Sequence, residues 1–271
     1  MPAWTPFRSP ENFTMDAAAL RAAWPQLHAG DAEPCPDEAD VLHAWALFHA
    51  GDFQQAEQAG LAAGAAGWTA ANKATIVYAL YLEPDGRRQL ELLQQAAVRA
   101  GQQALKDPLN PNAWFWQAYA LGRCAQRGSV TQALAEGLGT KVRDLLSRVL
   151  ALAPRHADAR LALGTFHAEV IDKVGALVGG LTFGARRDTG LELFQAAQAI
   201  DPHSIIGQLE HARAVVMLKG DAGKPEAMRL YESAAQARPR DAAEYLALTR
   251  AREECARCVA HFNLSSEQPP P

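Results

Sequence analysis

Four stretches decide the fold: NPNAWFWQAYALG (residues 110–122), APRHADARLALGTFH (153–167), DPHSIIGQLEHARAV (201–215) and RPRDAAEYLALTRAR (238–252). In each, a proline is followed by two residues and then by a run whose apolar positions recur at spacings of three and four, the period of an amphipathic helix. An aromatic or long residue stands at the fourth position of each helix and a small one at the eighth. A motif that returns in this way is the mark of stacked helical pairs, in which each pair buries its apolar face against the next.

Outward from these stretches the same pattern continues. Alanine and leucine, both strong helix formers, dominate, and few segments alternate as a half-buried strand would. The pattern predicts about twelve helices, at 10–24, 37–49, 53–65, 70–82, 87–106, 112–126, 130–152, 157–173, 187–200, 204–218, 223–237 and 241–261. Ser9 before Pro10 reads as a helix start. Ser129 with Gln132 and Thr189 with Glu192 have the spacing of capping boxes. The segment 1–35 is expected to cap the array, 36–262 to form its body, and 263–271 to be a disordered tail.

Several residues sit where a known repeat family places them. Ala157, Leu163, Gly164 and His167 fall on the first-helix pattern, Gly190, Phe194 and Ala197 on the second, and Gly51, Asp52, Phe53 and Ala56 on the turn of an earlier pair. On these residues the chain resembles the tetratricopeptide repeat (TPR) superfamily, in a degenerate form. The resemblance implies an all-α, right-handed α-solenoid of antiparallel helix pairs. The intervals Pro111–Pro154, Pro154–Pro202 and Pro202–Pro239 are 43, 48 and 37 residues, longer than the roughly 34 of the family. The extra residues fall around 127–136 and 170–184. Long pairs with a glycine-rich insertion also resemble TatT, the component associated with TRAP transporters, and the regulator of microtubule dynamics family.

Composition limits the function classes. Apolar residues make up 49% and charged residues 21%, so a sizeable core is available. The net charge of -4 gives no basic excess for nucleic acid, and the first 60 residues carry two arginines against nine acids. Four scattered cysteines do not make a disulfide framework, and residues 1–27 contain four prolines and no signal-like apolar run, which points to a cytoplasmic protein. The longest apolar run, residues 174–185, is broken by Gly175, Gly179, Gly180 and Gly184 and is too short to span a membrane.

If the chain follows the family, first helices line a concave groove at Trp114, Gln117, Leu121, Leu161, Thr165, Glu169, Leu209, Arg213, Leu246 and Arg250. Arginines there can grip a carboxylate with two parallel hydrogen bonds. Of the aromatic cluster Trp114, Phe115, Trp116 and Tyr119, neighbouring positions point in different directions, so most serve the core and Trp114 is the member placed to reach the groove. Cys255, Cys258 and His261 lack a fourth ligand for zinc, and no metal or cofactor is expected. His167 and His211 are read as structural. No HExxH, phosphate-loop or nucleophile-elbow motif is present, so the chain is expected not to be an enzyme. The expected role is a scaffold or adaptor holding a peptide or protein partner. The alternative, carried by the TatT resemblance, is a transport-associated protein enclosing a small apolar or carboxylate ligand. A cavity lined by residues 170–187 would favour the alternative.

Overall fold

A computed structural model describes residues 3–127 and 137–266, and among them it is all-helical, with no strand. The helices are α1 (Ala17–Leu27), α2 (Ala39–Ala50), α3 (Phe53–Ala62), α4 (Trp68–Tyr81), α5 (Gly86–Lys106), α6 (Pro111–Arg127), α7 (Leu138–Leu152), α8 (Ala157–Val174), α9 (Ala176–Phe183), α10 (Arg187–Ile200), α11 (Ile205–Lys219), α12 (Lys224–Gln236) and α13 (Ala242–Ser266).

Side-chain caps start several of them. Asp16, Asp85 and Ser204 accept the amides of Ala19, Arg88 and Gly207, which satisfies donors that have no partner inside the helix. Asp241 accepts the amide of Glu244, and Glu244 reaches back to the amide of Arg240. His156 caps α8 through Nδ1, which accepts from the Ala159 amide. One expected start and one expected cap differ. The chain stays non-helical until Asp16, because Ser9 and Asn12 bind the amides of Glu11 and Thr14 in local turns that compete with a helix. Thr189 lies inside α10 rather than at its start, since the amide of Arg186 is already taken by His167. The Ser129–Gln132 pair lies outside the described residues.

Packing arranges the helices in two layers. In the inner one, α2, α4, α6, α8, α11 and α13 each pack against the next, and α13 packs back on α2, so this layer closes on itself. Around it, α3, α5, α7, α10 and α12 each bridge two successive inner helices. Close approach needs small residues at the crossings. A Cβ on Gly164 of α8 would lie 2.8 Å from the Phe194 ring of α10, and that ring is fully buried and stacked at 4.8 Å on His211 of α11.

The insertion at 170–187 is divided. Phe183 and Ala185 are buried, and a Cβ on Gly179 would meet Val170 at 3.0 Å. The other face of α9 is exposed at Leu177, Val178 and Leu181. No helix among the described residues is long and apolar enough to cross a membrane.

Candidate functional site

Five helices of the inner layer, α4, α6, α8, α11 and α13, line a cavity of about 230 Å³. Its middle is apolar, built from Ile76, Val77 and Leu80 of α4, Phe115 and Trp116 of α6, Val142 and Leu146 of α7, Leu161 and Phe166 of α8, and Phe183 of α9. Along α8, cavity-lining residues run from Asp158 to Val174, and the eleven steps from Asp158 to Glu169 alone span about 16 Å of helix.

Residues 26–33 cross one end and form its floor. The backbone carbonyl of Gln26 accepts from Arg240, that of Gly30 from the Asp158 amide at 3.0 Å, and that of Asp31 from Asn112 at 3.0 Å. These bonds gather the N-terminal ends of α6, α8 and α13 onto one strap. Below it runs a chain of buried groups. Asp31 Oδ1 is 2.9 Å from His28 Nδ1, His28 Nε2 is 3.2 Å from His49 Nε2, and His49 Nδ1 is 2.7 Å from Asp241 Oδ2.

Electrostatics at the floor follow from burial and pairing. Burial pushes the Asp31 carboxyl up, but Lys73, at 2.7 Å, and His28 outweigh it and hold the group well below the usual carboxylate range. Lys73 also lies over the rings of Trp45, Phe48 and Trp116. Burial, reinforced by the charge of Asp31, raises Glu33 to about 8 and Asp158 to about 7. Burial lowers His28 and His156 to about 4. The neutral form suits His156, whose Nδ1 accepts an amide while Nε2 donates to Asn112 Oδ1 at 3.0 Å. Arg240 binds both Asp201, at 3.0 Å, and Glu244.

A second polar cluster occupies the far end. Arg123 donates to Tyr119 Oη at 2.8 Å and to Glu210 at 2.9 Å. Glu210 also receives Arg213, which pairs in turn with Glu254. Glu169 accepts from Gln126, and burial raises its carboxyl. Lys173, exposed on the lining, marks the rim.

Of the residues expected to face a groove, Leu161, Thr165 and Glu169 line the cavity. The others lie elsewhere. Trp114 turns outward, with Nε1 on the Pro108 carbonyl and Arg148 of α7 over its ring. Gln117 faces Gly101 of α5. Leu121 and Leu246 pack on the main core, and Leu209 is buried in the smaller core of α11 to α13. Arg213 is engaged by two glutamates, and Arg250 by the Tyr81 ring and the Leu80 carbonyl. Lys73, Asp31, Asp158 and Arg123, none of them expected from the sequence, also lie on the wall.

Phe115, Trp116 and Tyr119, rather than Trp114, supply the aromatic wall. The Trp116 indole nitrogen is buried without a hydrogen-bond partner among the described residues. His167 and His211 serve packing, the first accepting the Arg186 amide and the second stacking on Phe194. Cys255 and Cys258 pack against the smaller core, and the His261 side chain lies outside the described residues. Among the described residues, no three histidine, cysteine, aspartate or glutamate side chains are placed to hold a metal ion.

No protein-family model matches the chain, and no curated protein matches it in sequence.

Proposed function

We propose that this chain is a TPR-like helical array, a degenerate α-solenoid whose inner layer has closed on itself, and that it binds a small, largely apolar molecule inside. The observation that carries this reading is the cavity of about 230 Å³ within the inner helices. Its walls are mostly apolar, with polar groups gathered at the two ends, the composition of a small-molecule site. Val170, Lys173, Val174 and Phe183 of the glycine-rich insertion all contribute to its lining. The strap of residues 26–33 supports a small ligand over a peptide, because it crosses the end through which an extended chain would have to pass. Helical spacing of the four proline-led stretches and the Gly164–Phe194 crossing support the repeat ancestry.

A neutral fluorescent probe tests the reading. N-phenyl-1-naphthylamine is expected to bind one per chain with a blue shift. Ala162→Phe, which fills the wall at a half-buried position on α8, is expected to abolish binding while the helical circular dichroism persists. Absence of probe binding, or binding untouched in a folded Ala162→Phe protein, would overturn it. Native mass spectrometry of the chain purified with a co-eluting peptide and an empty cavity would favour the adaptor role instead.

A further inference from the structure

The charges on the cavity wall are unequal in number and in pairing. Seven carboxylates line it, Asp31, Asp158, Glu169, Asp201, Glu210, Asp241 and Glu244, against four cations, Lys73, Arg123, Lys173 and Arg240. The three cations away from the rim are already committed: Lys73 to Asp31, Arg123 to Glu210, and Arg240 to Asp201 and Glu244. Asp241 is tied to His49 and to the Glu244 amide. One floor carboxylate is left over. Asp158 accepts no hydrogen bond from any described residue, yet it lines the cavity at the floor.

Burial raises its carboxyl to about 7, and its place at a helix start works against that rise. Asp158 stands in the first turn of α8, where the unpaired amides and the helix dipole favour negative charge. Its backbone amide is fixed on the Gly30 carbonyl. The carboxyl group lies directly over the Cα of Gly30, where a Cβ would come within 2.5 Å of Oδ1, so the strap leaves room for it only because residue 30 is glycine. Lys73 and Arg240 act on this carboxylate only from a distance, without a hydrogen bond or ion pair, so its charge is costly in a largely apolar cavity, and a cation brought by a ligand removes that cost. A ligand carboxylate meets the opposite situation: every buried cation is engaged and the surplus charge repels it.

Resting on the reading of the cavity as a ligand site, we propose that its ligand is an amine, an alkylammonium whose cationic head pairs with Asp158 and whose apolar tail lies along Leu161, Val77 and Phe115. The roughly 16 Å run of α8 between Asp158 and Glu169 accommodates a tail of about eight carbons. The sign of the head group thus departs from the carboxylate ligand that the resemblance to TatT implies.

Isothermal titration with three eight-carbon probes tests this: n-octylamine, 1-octanol and octanoate. The wild-type chain is expected to prefer octylamine over octanol by on the order of tenfold or more, and octanoate least. Asp158→Asn, nearly isosteric, and Asp158→Ala are each expected to erase the amine preference and to leave octanol affinity within about threefold. Tightest binding of octanoate would overturn the ammonium assignment. An amine preference unchanged in both Asp158 variants would overturn the role of Asp158. If N-phenyl-1-naphthylamine binds and is lost in Ala162→Phe while octylamine shows no preference, the amine proposal fails and the cavity reading stands. If the naphthylamine does not bind either, it is the cavity reading that fails.

Discussion

Lys73 of α4 and Asp31 of the strap form an ion pair at 2.7 Å in which the carboxylate is 1% exposed and the lysine side chain 14%. The pair joins residues 42 positions apart and pins the strap against the inner layer. A buried pair of this kind contributes little net stability compared with an apolar substitute, but removing one partner strands the other charge. Lys73→Met is therefore expected to cost about 3–5 kcal/mol in urea denaturation. The double variant Lys73→Met/Asp31→Asn is expected to recover part of that loss. A single variant within about 0.5 kcal/mol of wild type would show that the pair is solvated.

Glu33 gives the fold a pH dependence of definite sign. Its carboxyl has an ordinary value of 4.5 and is raised to about 8, first by burial and then by Asp31. Between those values the folded protein keeps a proton that the unfolded chain releases, so the contribution of Glu33 favours the fold at low pH and is lost as pH rises from 4.5 to 8. Asp158, raised from 3.8 to about 7, acts in the same direction over its own window. His28 and His156 act oppositely. Held down to about 4, they stay neutral in the fold while the unfolded chain protonates, so their contribution is lost as pH falls from 6.5 to 4. Above pH 6.5 the histidines no longer oppose the acids, and Tm is expected to decline towards pH 8. Glu33→Gln is expected to reduce that decline and raise Tm at pH 8 by roughly 2–4 °C. Calorimetry across pH 5 to 8 checks both statements.

The helical architecture was readable because apolar periodicity and proline punctuation are local signals. The facing of the helices was readable only in part. Counting from the prolines, the residues four positions on, Phe115, Asp158, Ile206 and Ala243, all line the cavity, so the repeat does carry the phase of the inner face. The positions seven and eleven residues after each proline do not share that facing: on α8 they are Leu161 and Thr165, which line the cavity, whereas on α11 and α13 Leu209 and Leu246 pack in the cores and Arg213 and Arg250 are engaged by neighbours. Asp31 and Lys73 were not readable. They belong to no repeat position, and their meeting depends on the closing of the inner layer, a long-range event that no sequence spacing records. Asp158 stood within a quoted repeat, but its lack of a partner is a property of the assembled wall.

Gly164 and Phe194 make the contact on which the α8–α10 crossing depends. Phe194 is fully buried, and Phe194→Ala is expected to cost about 3–5 kcal/mol through lost burial and an unfilled hole. Gly164→Val fails for the converse reason, since its Cβ meets aromatic ring atoms at 2.8 to 3.1 Å. Combining Phe194→Ala with Gly164→Val is expected to cost less than the sum of the two, because each change vacates the space the other overfills. Strict additivity in a double-mutant cycle would show that the two residues do not share a packing site.

Glu210 holds the far end together. Its carboxylate lies 2.9 Å from Arg123 of α6 and 3.0 Å from Arg213 of its own helix, and Arg213 continues to Glu254 of α13. Burial works against the charge, but the two arginines prevail and keep the carboxyl below its ordinary value of 4.5. Its contribution to stability is therefore present above 4.5 and lost as pH falls through the lower folded value. Glu210→Gln leaves both guanidinium groups facing a neutral amide, with a loss of about 3–5 kcal/mol expected at pH 7. Arg123→Met is expected to cost less, because Glu210 keeps Arg213. Urea denaturation at pH 7 orders the two variants, and repetition at decreasing pH below 4.5 is expected to narrow the gap between Glu210→Gln and wild type. A gap that does not change with pH would mean that the shape of the Glu210 side chain, rather than its charge, joins these three helices.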